Sequence, residues 1–77
     1  MYLSQSQIDA MADAAVTTYE VSGDWSAALR AAVEFSRDEY GVQPRRSAAL
    51  LAVKLARLQW QARVLIAKEA VRAAQEV

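Results

Sequence analysis

The chain has 77 residues, no cysteine or histidine, nine basic and nine acidic side chains, and a hydrophobic fraction of 55%. Disulfides and the usual structural zinc sites are therefore excluded, and the commonest catalytic bases and nucleophiles are missing. A domain of this size buries only about 60–65% of its unfolded surface, which leaves oligomerisation as the available staple.

The neutral total conceals a division. Residues 1–43 carry seven carboxylates against Arg30 and Arg37, whereas residues 44–77 carry seven basic side chains against Glu69 and Glu76. An acidic half folding back on a basic half is the simplest arrangement. Gly23, Gly41 and Pro44 are all the glycine and proline present, and no stretch alternates like a strand. They divide the chain into three helices, at about residues 5–21, 25–40 and 44–76, in one all-α domain.

The first helix starts after Ser4 or Ser6, where Ser4 and Gln7 have capping-box spacing. Ile8, Met11, Ala12, Ala15, Val16 and Tyr19 form its buried stripe. Thr17 and Thr18 are β-branched, so the last turns are expected to fray. Asp24 caps the second helix. Its inward stripe runs through Trp25, Ala28, Leu29, Ala32, Val33 and Ser36 towards Tyr40, with an Arg30–Glu34 pair outside. Gly41 ends it in a left-handed conformation. Two short amphipathic helices joined this tightly form an antiparallel hairpin.

Pro44 opens the third helix at its first helical position. On a helical wheel this helix is apolar over an arc of roughly 250°. One stripe runs through Leu51, Leu55, Leu58, Ala62, Leu65 and Ile66. A second runs through Val53, Ala56, Trp60, Val64, Ala67 and Val71, and is read as a dimer seam. The hairpin helices span roughly 25 Å and the third roughly 50 Å. The far half of the third helix, including Val64, Leu65, Ile66, Ala70, Val71 and Val77, is therefore left uncovered. The expected architecture is a helical hairpin on one long carboxy-terminal helix, forming an obligate helical-bundle homodimer through that helix.

Motifs for chemistry are sparse. Asp9 with Asp13 and Glu34 with Asp38 are carboxylate pairs at helical spacing, but hard cations take more oxygen ligands, so these read as solvated faces. No cofactor or metal is implied, and the chain reads as a non-enzyme. Arg45 and Arg46, beside Ser47 at a helix start, have the chemistry of an anion or carboxylate contact. Arg63 falls inside the apolar arc and needs an acidic mate, a route to solvent or a binding groove. Together with Trp60 these three arginines are the candidate partner-binding residues. Lys54, Arg57, Lys68 and Arg72 line a basic strip, the best case for nucleic acid.

Ala48–Val53 is the longest apolar run, well below the ~20 residues of a membrane span. Leu3-Ser4-Gln5-Ser6-Gln7 lacks the basic start and apolar core of a secretion signal. Both suggest a soluble, cytoplasmic protein. The composite expectation is a small dimeric adaptor, regulator or inhibitor acting on another protein; a phage-encoded inhibitor of a host protein has this size and chemistry. The alternative is a nucleic-acid-binding regulator using the basic strip.

Overall fold

The structure, a computed structural model, describes residues 3–76. Among them three helices form: α1 (Gln5–Ser22), α2 (Trp25–Tyr40) and α3 (Arg46–Gln75). Val77, expected to extend the uncovered apolar surface, lies outside the described residues.

Local chemistry sets most of the helix ends. Ser4 caps α1 through the full capping box: its hydroxyl accepts from the Gln7 N–H at 3.3 Å, and its own N–H donates to Gln7 Oε1 at 2.8 Å. Helix α1 continues to Ser22, one residue beyond its expected end. Thr17 donates back to the Asp13 carbonyl, and Ser22 to the Thr18 carbonyl. Gly23 then closes the end at φ 67°, donating its N–H to the Tyr19 carbonyl at 2.7 Å. The glycine closure satisfies a carbonyl that the helix end would otherwise leave open, against the weak propensity of the β-branched pair.

Asp24 accepts from the Ser26 N–H and starts α2. Gly41, at φ 62°, stops it, with its N–H directed to Arg37 and the Val42 N–H directed to the Ser36 carbonyl. Ser36 is fully buried, and its hydroxyl donates to the Val42 carbonyl at 2.9 Å. A side chain placed on the α2 core stripe thus also ties down the turn into α3. The expected Arg30–Glu34 contact is not among the ion pairs of the described residues, in keeping with the few tenths of a kcal/mol such a pair is worth.

Pro44 departs from its predicted position. Helix α3 starts two residues later, with Arg45 as its N-cap in extended geometry and no side-chain cap. Pro44 itself is buried and lines one depression with Ala49. This is the spacing of a hydrophobic staple, in which the residue before the cap packs on the helix's fourth residue. Burying the ring at the base of the bundle outweighs using it as a helix opener.

The core is built chiefly from small side chains. Met11 and Val16 are its largest fully buried apolar residues, and Ala12, Ala15, Ala28, Ala32, Ala52 and Ala56 fill most of the rest. Facing alanines permit close approach of helix axes, since interaxial distance follows contact side-chain size. Helix α1 is the central element, packing extensively against both α2 and α3. The first half of α3 runs alongside the hairpin, and its second half projects beyond it. Residues 61–76 are exposed except for half-buried Val64, and the molecule measures 53 × 23 × 18 Å. None of the described helices is long and apolar enough to cross a membrane.

Candidate partner-binding surface

Where α3 leaves the hairpin, the turn between α1 and α2 brings four side chains into a closed series of contacts. Tyr19, near the end of α1, stacks on Trp25, the first residue of α2, with centroids 3.8 Å apart and planes 10° off parallel. Trp60 of α3 meets Tyr19 edge-on at 5.1 Å and 79°. The Arg57 guanidinium lies 5.2 Å from the Trp25 ring centroid, on the same helix as Trp60. The series therefore starts and ends on α3 and clasps the top of the hairpin. Aromatic pairs in these geometries contribute about 0.5–1.5 kcal/mol beyond area burial, and exposed cation–π contacts about 0.5–1 kcal/mol.

One turn beyond Trp60, Arg63 Nη1 donates to Glu20 Oε1 at 2.6 Å. The two side chains are 53% and 44% exposed, so solvent screening limits this pair to about 0–1 kcal/mol. It answers how a guanidinium inside the apolar arc is accommodated: it reaches back to the hairpin. Among the ion pairs of the described residues this is the one joining hairpin to α3; the other, Arg72 with Glu76, is internal to α3.

The candidate seam divides at the same point. Val53 is 8% exposed and Ala56 is fully buried, so both belong to the chain's own core and are not available to a second molecule. Trp60 is half-buried against Tyr19. Val64, Ala67 and Val71 continue that line past the end of the hairpin, where Ala67 and Val71 are exposed. The hairpin took the alanine-rich side of α3, which reverses the reading for the first half of the helix.

The leucine side is what remains uncovered. Leu51, Leu58 and Leu65 are 39%, 54% and 58% exposed and stand seven residues apart, with half-buried Leu55 and exposed Ala62 between them. Steps of four and three are the spacing of a coiled-coil seam.

The basic candidates separate as well. In the strip, Arg57 is drawn towards Trp25 and Arg72 pairs with Glu76 at 3.6 Å, while Lys54 and Lys68 stay exposed. Arg45 and Arg46 lie exposed at the opposite end of the bundle from Trp60 and Arg63, so the four predicted partner-binding residues form two separate places. Sequence reasoning missed Tyr19 and Trp25 as parts of the Trp60 site. Their signal was available, since two aromatics flanking a hairpin turn lie at one end of the bundle, level with the middle of a longer third helix. Comparison with protein-family models, curated proteins and solved structures finds no match to this chain.

Proposed function

We propose that the protein is a non-enzymatic protein-interaction module that acts as a homodimer and presents the projecting half of α3 to a target protein. The observation that carries this reading is the uncovered apolar surface beyond Trp60, where Leu65, Ile66 and Val71 are each more than half exposed. Contiguous apolar surface of this kind on a small domain marks an interaction site.

The projecting half is two-sided. Leu65 continues the leucine stripe towards a second copy. Arg63, Ala67, Ala70, Val71 and Ala74 continue the side that already accepts the hairpin through Ala49, Ala52 and Ala56. Small side chains flanked by Trp60 and Arg63 suit an amphipathic target helix, docked as a further member of the bundle. Covering the remaining exposure of Leu51, Leu58, Leu65 and Ile66 amounts to about two fully buried aliphatic side chains per copy, or roughly 6–12 kcal/mol per dimer. Association costs about 4–15 kcal/mol. Because each chain also buries its own core, the dimer proposed is reversible and not obligate.

The test is capture of a target with immobilised protein, comparing the natural chain with Val71→Glu and with Lys54→Glu, a charge reversal on the basic strip outside the clasp. Capture lost in Val71→Glu and kept in Lys54→Glu is expected. Capture indifferent to Val71 refutes the assigned face. The nucleic-acid reading rests on exposed Lys54, Lys68 and Arg72, and is weakened by the placement of Arg57 over Trp25.

A further inference from the structure

We infer that the second copy packs antiparallel along the leucine stripe of α3, with Leu55 of each chain opposite Leu58 of the other. The inference rests on the dimeric reading above and adds its face, direction and register.

Seam continuity favours this direction. At steps of four and three, the stripe reads Ala48, Leu51, Leu55, Leu58, Ala62 and Leu65, then Glu69 and Arg72. A parallel, in-register pair stacks each residue on its own copy. Ala48 and Ala62 then face themselves and leave gaps between leucine layers. Glu69 meets Glu69 and Arg72 meets Arg72. Antiparallel pairing about the Leu55–Leu58 centre sets Leu51 against Ala62 and Leu65 against Ala48. Large side chains then face small ones, and every layer from 48 to 65 is apolar.

Two features outside the stripe agree with the same register. At equal rise per residue, Ile66 of one chain falls level with Ser47 of the second copy, and Lys68 and Arg72 fall at and just beyond the start of its α3. That level holds the carboxy-terminal end of α2, where Asp38 and Glu39 are exposed at the negative pole of the helix. Among the described residues, neither carboxylate makes an ion pair. Lys68 and Arg72 supply the opposite charge there. The acidic hairpin and basic helix, joined directly by Arg63 and Glu20 among the described residues, thus complement each other between copies as well.

Ile66, 66% exposed, reaches the same level on the other flank. There an apolar groove runs between the start of α1 and the start of α3, lined by Leu3, Ile8, Pro44, Ala48 and Leu51. In an antiparallel pair equivalent flanks of the two helices face each other. The flank of α3 beside α1 in one copy therefore receives Ile66 of the other. A parallel pair leaves Ile66 level with Ile66 of the second copy, far from either groove.

Because the chain has no cysteine, a single spin label at Gln75→Cys reports direction without other changes. Antiparallel pairing in this register separates the two labelled positions by roughly 55 Å along the axis. A parallel pair brings them within about 25 Å, allowing for an interaxial distance of 8–10 Å and the label arms. The long distance is expected in double electron–electron resonance, and the short one overturns the inference. Leu58→Glu, at an exposed site the monomer fold does not need, is expected to give a single-chain mass by light scattering, whereas Val71→Glu keeps the dimer. The reverse pattern removes the leucine face. Lys68→Glu/Arg72→Glu is expected to weaken the dimer at least several-fold, and Asp38→Lys/Glu39→Lys in the same chain to restore it; no rescue overturns the register. A natural chain that is monomeric at every concentration removes the dimer itself, whereas a dimer with a short label distance removes only the antiparallel arrangement.

Discussion

Trp60→Ala tests whether the aromatic clasp holds α3 to the hairpin. Full truncation of a buried tryptophan costs about 3–5 kcal/mol. Trp60 is mostly but not fully buried, which sets the expectation at about 2–4 kcal/mol, of which the edge-on contact with Tyr19 accounts for about 0.5–1.5 kcal/mol. The neighbouring Arg63–Glu20 pair is short but half-exposed on both sides, and Arg63→Ala is held to about 1 kcal/mol or less. The order of the two effects follows: tryptophan first, arginine well behind. Urea unfolding followed by far-ultraviolet circular dichroism measures both, at one fixed protein concentration because a dimer links stability to concentration. A Tyr19→Leu/Trp60→Leu double-mutant cycle isolates the ring contact, with a coupling of about 0.5–1.5 kcal/mol expected. A Trp60→Ala loss below about 0.5 kcal/mol, the range of ordinary surface changes, or one smaller than that of Arg63→Ala, refutes the idea that the rings fasten the helix.

Three other substitutions probe the framework. Ser36→Ala removes the buried hydroxyl that donates to the Val42 carbonyl, and is expected to lower unfolding stability by about 1 kcal/mol in urea melts. Gly41→Ala forces a side chain into the left-handed region at φ 62° and is expected to cost about 1–2 kcal/mol, although open space surrounds the Cα. Thermal unfolding resolves that loss, and an unchanged midpoint rejects the strain argument. Lys54→Ala/Arg57→Ala/Arg72→Ala tests the basic strip: a salt-dependent mobility shift of generic DNA by the natural chain, lost in the triple variant, supports the nucleic-acid reading. No shift at low salt is the outcome the protein-interaction reading expects.

Much of the fold was legible because its signals are local. Ser4 with Gln7, Asp24 and Gly41 each act within a few residues, and each closes a helix end as its chemistry requires. The stripe of α1 was equally plain, whereas that of α2 is buried at Ala28, Ala32 and Ser36 but leaves Leu29 and Val33 half-buried, with Phe35 packed on the core in their stead. Helix α3 was different: its apolar arc was wide enough to present either of two faces. Hydrophobicity alone favours burying leucine, yet the hairpin took Ala49, Ala52 and Ala56. That preference is a property of pairs of surfaces, because Ala12 and Ala15 of α1 offer a shallow face that a leucine-lined helix would hold at a distance. The Tyr19–Trp25–Trp60 clasp depends on three helices at once, which is why it was absent from a reading made one helix at a time. The predicted overhang survived because it rests on length, and lengths follow directly from rise per residue.

The projecting half of α3 also makes the clasp a fulcrum. About sixteen residues beyond Trp60 form an arm of roughly 24 Å, held at its base by ring contacts and one half-exposed ion pair. A tilt of about 10° at that base moves the tip sideways by roughly 4 Å, about half the 8–10 Å between the axes of packed helices. A helix docked at the tip would then lose contact on one side of the arm and gain it on the other. The geometry of a few aromatic rings near the hairpin turn is thereby magnified into which face the far end presents.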